Sequence, residues 1–127
     1  MSEFVLDASA LLALLNAEKG AEIIQGLLPN AVISAVNLAE VVARLAFLGM
    51  PESEIRNILT LLGLEIVPFD TEQAFQAGFL FPPTRSHGLS LGDRSCLALA
   101  KAVNATAVTA DQAWGDLNLG VGIKLVR

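Results

Sequence analysis

The sequence predicts a three-layer α/β/α sandwich, with helices packed on both faces of a mostly parallel central sheet. Three observations carry this. Short apolar runs alternate with longer stretches of helical character along the whole chain. The helical stretches end at recognisable stops, Pro29-Asn30, Gly49 and Gly63. The chain has 127 residues, 54% of them hydrophobic, which suits one domain with a thick, two-sided core.

Taken in order, Phe4 to Leu6 reads as a strand. Ser9 to about Leu28 reads as one helix, with Ser9 as N-cap. Ala31 to Ile33 is a short strand, and Val36 to Leu48 a helix ending at Gly49. Pro51 opens the next helix, where proline suits the first position and Glu52 and Glu54 suit the positive end of the dipole. Ile55, Ile58, Leu59 and Leu62 give it one apolar face, and Gly63 closes it. Glu65 to Phe69 is a strand. Asp70, with Gln73 three residues on, caps a helix from Thr71 to about Leu80. Pro82 to Gly88 reads as the main loop, and Asp93 to Val103 as a helix. Ala107 to Thr109 is a strand, Gln112 to Leu117 a short helix, and Ile123 to Val126 the last strand.

Mean hydropathy is high, +0.59, yet Asp7, Glu18, Glu40, Arg44 and Asp93 interrupt every long apolar run. A membrane span of about 20 apolar residues is therefore not expected. The start, MSEFVLDAS, has no basic segment of the signal-peptide kind. One cysteine, Cys96, leaves no internal disulfide, so the expectation is a cytoplasmic protein. The apolar surplus points to a thick core and to an exposed patch for self-association or a partner. A net charge of −5 and a pI near 4.7 argue against a broad basic face for nucleic acid. They leave room for a nucleic-acid enzyme whose acidic cleft is neutralised by bound cations.

Four acids stand inside or beside strongly apolar words: Asp7 in FVLD, Glu40 in VNLAEVV, Asp93 in LSLGDRSCLALA and Asp111 in AVTAD. Each alone has an ordinary explanation. Glu40 could pair with Arg44 one turn on, Asp93 could complement a helix dipole, and Asp7 and Asp111 could be strand-end or turn residues. Together they have a common geometry, because sites in open parallel sheets form beyond the carboxyl ends of strands. Asp7 follows the first strand, Asp111 lies two residues past the fourth, and Glu40 and Asp93 sit on helices able to flank that end.

Clustering has an electrostatic consequence. Two carboxylates 5 Å apart repel by about 3 kcal/mol at an effective dielectric near 20. Six such pairs would rival the stability of a whole domain, about 5–15 kcal/mol. Such a cluster must take up protons, attract cationic side chains or bind metal. Oxygen ligands favour Mg²⁺ or Mn²⁺ over Zn²⁺, and Cys96 and His87 are the sole residues of their types.

The words around these acids carry a resemblance. D-A-S after the first strand, NLAEVVARL, GLSLGDRSCLALA and TADQAW together resemble the PIN-domain family, and within it the VapC-type toxins of toxin–antitoxin pairs. The likeness runs from Val5 to Val126 in the family's order, and G-D-R-x-C-L-A-L-A is its most specific part. It implies a metal-dependent ribonuclease whose acidic quartet falls on Asp7, Glu40, Asp93 and Asp111, with Asp116 as a candidate fifth acid. Ser9 and Thr109 match positions where the family places a hydroxyl near the acids; an N-cap and a strand-end role are the alternatives. Asn37, one turn before Glu40, could orient that carboxylate or only solvate the helix. The resemblance further implies Mg²⁺ or Mn²⁺ as cofactor, RNA as substrate, products with 5′-phosphate and 3′-hydroxyl ends, a cognate antitoxin and a homodimer.

Among the remaining polar residues, Arg85 and Arg94 could contact phosphate in a bidentate way or pair with an acid. His87 reads as a surface loop residue. Trp114 could stack a base or pack in the core. Two other enzyme classes fit less well. A haloacid-dehalogenase-type phosphatase would want a second aspartate where Ser9 stands. A response-regulator receiver would want an acidic pair at Asp7 and a lysine where Ala110 follows Thr109. A non-catalytic, partner-binding module of the same fold is the alternative outside enzymes.

Overall fold

The computed structural model describes residues 2–127. Five strands, β1 (Phe4–Leu6), β2 (Ala31–Ser34), β3 (Glu65–Val67), β4 (Thr106–Thr109) and β5 (Ile123–Leu125), form one sheet in the order β3-β2-β1-β4-β5. Every neighbouring pair is parallel. The chain steps outward from β1 to β2 to β3, then returns to place β4 on the other side of β1. The direction of winding thus reverses between β1 and β4. Such a switch point opens a crevice at the carboxyl ends of the two strands, and Asp7 and Asp111 leave those ends.

Seven α-helices connect the strands among the described residues: α1 (Ala8–Leu15), α2 (Ala21–Leu27), α3 (Ala35–Phe47), α4 (Glu52–Leu61), α5 (Thr71–Phe79), α6 (Phe81–Thr84) and α7 (Leu91–Ala102). Alternate strand residues face opposite layers. Val5, Val32 and Ala107 pack with Ala77 of α5, with Cys96 and Leu97 of α7, and with Trp114. Leu6 and Val108 pack with Ala10, Ala13 and Ile24 of α1 and α2, while Ile33 meets Leu11, Val41, Leu45 and Ile55. Both faces are covered, as expected for short, fully apolar parallel strands. The expected three-layer arrangement is the one observed.

Several boundaries differ from expectation for identifiable reasons. The single helix expected from Ser9 to Leu28 is two. Ala17 (φ 52) and Gly20 (φ 100) are left-handed, and Glu18 N–H closes the first helix by donating to Ala13 O at 2.8 Å. The break turns α2 back toward the C-terminus: a Cβ on Gly20 would lie 2.5 Å from Val126 O. Asp7, not Ser9, is the N-cap of α1, accepting from Ala10 N–H. Pro82 to Gly88 is not an open loop but α6 followed by a 3₁₀ turn, Arg85–His87. Pro82 and Pro83 occupy the start of α6, where no intrahelical N–H is needed. Helix α7 starts at Leu91, two residues before Asp93, because Ser90 and Asp93 form a reciprocal capping box. The anticipated face of α4 is present, with Ile55 buried. Asp70 accepts from Gln73 N–H at 2.9 Å, as its spacing suggested. No helix among the described residues is long and apolar enough to cross a membrane.

Candidate active site

Asp7 lies at the switch point, buried and 3% exposed. It ends β1 and caps α1, so its Oδ1 accepts from Ala10 N–H at 2.8 Å. The Ser9 hydroxyl donates to the same oxygen at 2.7 Å, and the Thr109 hydroxyl donates to Oδ2 at 2.5 Å. Each hydroxyl is in turn oriented by the backbone after β4: Ala110 N–H donates to Ser9 Oγ at 2.9 Å and Asp111 N–H to Thr109 Oγ1 at 3.0 Å. With both hydroxyl protons directed at an ionised Asp7, the 3.2 Å Ser9–Thr109 contact has no proton of its own.

These donors favour the carboxylate, yet burial outweighs them. Desolvation pushes the Asp7 carboxyl up to about 6, against the lowering by Thr109, Ala10 and Ser9, and the charge of Asp93 adds to the rise. The Cys96 thiol behind the crevice is also pushed well up, first by burial and then by the charges of Asp7, Asp93 and Glu40. The charges of these three acids, which follow β1 and stand on α7 and α3, are all felt at this one thiol.

Glu40 stands on α3 and takes no part in an ion pair with Arg44, whose guanidinium lies 5.9 Å from the Phe47 ring. Instead Asn37 Nδ2 donates to Glu40 Oε1 and to Gly92 O, both at 3.0 Å, joining α3 to the start of α7. Asp93 Oδ2 accepts from Ser90 N–H at 2.9 Å. Asp111 is exposed and caps a 3₁₀ segment, Gln112–Asp116, its Oδ1 accepting from Ala113 N–H. Its link to Asp7 runs through Thr109. Asp116 is turned to another neighbour: Oδ1 lies 3.4 Å from His87 Nε2, and its side chain is 81% exposed.

Arg94 and Trp114 serve the fold. Arg94 Nη1 donates to Ala77 O at 2.9 Å and its guanidinium lies 5.3 Å from the Phe81 ring, so it ties α7 to α5. Arg85 is exposed on the 3₁₀ turn. Trp114 is fully buried and packs in the core on the α5–α7 side, which removes it as a base-stacking surface. Gly92, to which the sequence reading gave no role, is buried against the Glu40 carboxylate. Its signal was a glycine in the first turn of a helix, next to an acid, where alanine would favour the helix.

Among the described residues, no three acidic, histidine or cysteine side chains converge tightly enough to enclose a cation as they stand. An open site has a different requirement. Mg²⁺ keeps several waters and takes one or two carboxylates rather than a closed protein cage. Asp93 and Asp111 each have one carboxylate oxygen held by backbone N–H and the other without a protein partner among the described residues; Glu40 likewise has Oε1 held by Asn37 and Oε2 free. This oxygen-only donor set, around an acid whose burial resists ionisation, fits Mg²⁺ or Mn²⁺.

A family model described as PIN domain matches residues 4–118. No curated protein sequence matches the chain. Solved structures do. A toxin–antitoxin complex from Klebsiella pneumoniae superposes with a TM-score of 0.76 at 18% identity, covering 98% of this chain and 98% of that one. VapBC2 from Rickettsia felis, bound to a DNA fragment from its promoter, gives 0.76 at 21% identity over 96% and 97%. VapBC-1 from nontypeable Haemophilus influenzae gives 0.68 at 23% identity over 97% of each chain.

Proposed function

The chain belongs to the PIN-domain family, and from that premise we propose that it is a metal-dependent endoribonuclease, the toxin of a toxin–antitoxin pair. What supports this reading is the buried, hydroxyl-bound Asp7 at the end of β1, joined through Thr109 to the backbone N–H of Asp111, with the Glu40 carboxylate against Gly92, the residue before Asp93, where the winding of the sheet reverses.

Asp7 and Asp93 are the first choices to hold Mg²⁺ or Mn²⁺, with Glu40 and Asp111 completing the set or orienting water. When bound, the ion supplies Lewis-acid polarisation of a phosphate oxygen and a lowered pKa for water. The protein's part is positional. Ser9 and Thr109 fix both oxygens of Asp7. The free oxygens of Glu40 and Asp111 can each accept a hydrogen bond from the attacking water. Its oxygen bonds to phosphorus in line, the bond from phosphorus to the 3′-oxygen breaks, and that oxygen takes up a proton. The products carry 5′-phosphate and 3′-hydroxyl ends. No histidine is needed.

A cognate antitoxin and a second copy of the chain are the proposed partners. The solved structures similar to this chain include toxin–antitoxin complexes. Apolar surface suits both roles: a groove of about 820 Å³ between α3 and α4, lined in part by Leu38, Val42, Met50, Ile55 and Leu59, and the exposed rings of Phe75, Phe79 and Phe81.

Antitoxin-free protein incubated with structured RNA tests the reading. Cleavage is expected with Mg²⁺ or Mn²⁺, absent with EDTA, and reduced at least a hundredfold in Asp7→Asn and Asp93→Asn, the order of loss when charge stabilisation at a reacting centre is removed. Equal cleavage by wild type and both variants would sink the site. Tight partner binding without turnover would favour the non-catalytic module, and mapped ends would identify the RNA.

A further inference from the structure

We propose that Gly92 and Asn37 are positioning residues for Glu40: Gly92 leaves the space its carboxylate occupies, and Asn37 holds one of its oxygens. This rests on reading Glu40 as part of the metal-binding site.

Gly92 is the second residue of α7 and is buried. A Cβ built there would overlap the carboxylate of Glu40, falling 2.5 Å from both Cδ and Oε2, where real Cβ contacts essentially never come closer than 3.0 Å. The carboxylate therefore sits in the volume a methyl group would fill. The same glycine contributes its carbonyl to the latch, since Asn37 Nδ2 bridges Gly92 O and Glu40 Oε1. Both of those atoms are acceptors, so the Asn37 amide nitrogen, not its oxygen, must face them. That orientation leaves Asn37 Oδ1 buried with no partner among the described residues, a cost that an apolar side chain would avoid. Asparagine is suited here as a double donor. The contact also sets Glu40 beside Asp93, the residue after Gly92.

Glu40 is exposed and meets position 92 with the far end of a long side chain, so a methyl group there would push the carboxylate aside and leave the fold intact. Alanine also favours a helix. Stability and positioning should therefore separate. Gly92→Ala, Glu40→Ala and the double variant would be compared by thermal melting in EDTA and by calorimetric titration with Mn²⁺. Gly92→Ala is expected to melt at or above the wild-type temperature. It should lose about tenfold in Mn²⁺ affinity, the usual order for a residue that orients a ligand, and the double variant should bind no worse than Glu40→Ala alone. Asn37→Ala should show the same non-additivity, and Asn37→Leu, which keeps shape but not donors, should not restore affinity. Wild-type affinity in Gly92→Ala, or losses that multiply in the double variant, would overturn the proposal. If Glu40→Ala itself bound Mn²⁺ normally, the assignment of Glu40 to the site would fall instead. A crystal structure of Gly92→Ala then decides the positioning: a displaced Glu40 carboxylate upholds it, and an unmoved one overturns it.

Discussion

Asp7 sits where the fold and the proposed chemistry make opposite demands. Burial raises its carboxyl from 3.8 to about 6, so the folded protein binds this proton more tightly than the unfolded chain. Stability from this group is then greatest at low pH. It falls as pH rises from near 4 through about 6, and levels off above that. A shift of this size corresponds to about 3 kcal/mol. Asparagine keeps an oxygen for Ala10 N–H and carries no charge. In EDTA, Asp7→Asn should therefore equal or exceed the wild type in stability at pH 7, while with Mn²⁺ it should lose the RNA cleavage that the wild type shows. The stability difference between the two proteins should grow by up to about 3 kcal/mol between pH 4 and pH 7. Chemical denaturation across that range measures it, and a difference that does not change with pH would refute the burial argument. Such a residue is retained against stability, as functional groups often are.

Among the secondary-structure elements, legibility depended on whether the signal was local. The β1 strand, α3, α4 and the Asp70 cap of α5 could be read because periodicity and capping spacing lie within a few residues of each other. The four acids could be picked out because each stands against an apolar word. The break between α1 and α2 could not. Ala17 carries no turn signature, and Gly20 is required by a contact with Val126, over a hundred residues away. Likewise the Pro82-Pro83 pair reads as loop until α6 is seen to begin there. The joining of Glu40 to Gly92 through Asn37 is tertiary, so nothing local to Gly92 marks it as the neighbour of that carboxylate. This contrast gives a paired test. Gly20→Ala combines a left-handed backbone with a 2.5 Å contact to a carbonyl oxygen and should cost about 1–3 kcal/mol. Gly26→Ala lies within α2 with nothing within 4 Å of the added Cβ and should gain up to about 1 kcal/mol. Thermal melts of the two variants should shift in opposite directions; a shared sign would mean that the break between the helices does not depend on Gly20.

The whole molecule divides its labour between a sheet covered on both faces and a buried carboxyl, Asp7, whose ionisation opposes folding. Three buried apolar clusters among the described residues hold the layers together, so the fold is expected to stand without a cation. The buried Asp7 carboxyl works against it, in a chain whose net charge is already −5. A cation that binds only the folded state should then add stability by mass action, about 2.7 kcal/mol at a hundred times its dissociation constant. The increment should be specific. NaCl at matched ionic strength screens exposed charges but reaches the buried Asp7 poorly, so it should raise the melting temperature much less than MgCl₂ or MnCl₂. EDTA-treated protein should keep its native circular dichroism, because the core clusters are intact without metal. Asp7→Asn should melt higher than the wild type in EDTA yet gain little from Mn²⁺, so that the two melting curves approach or cross as the cation is added. Unfolding by EDTA would make the metal a structural element and contradict the self-sufficiency of the core. Equal gains from Na⁺ and Mn²⁺ would mean that the crevice only senses ionic strength, and the metal-dependent nuclease would lose its physical basis.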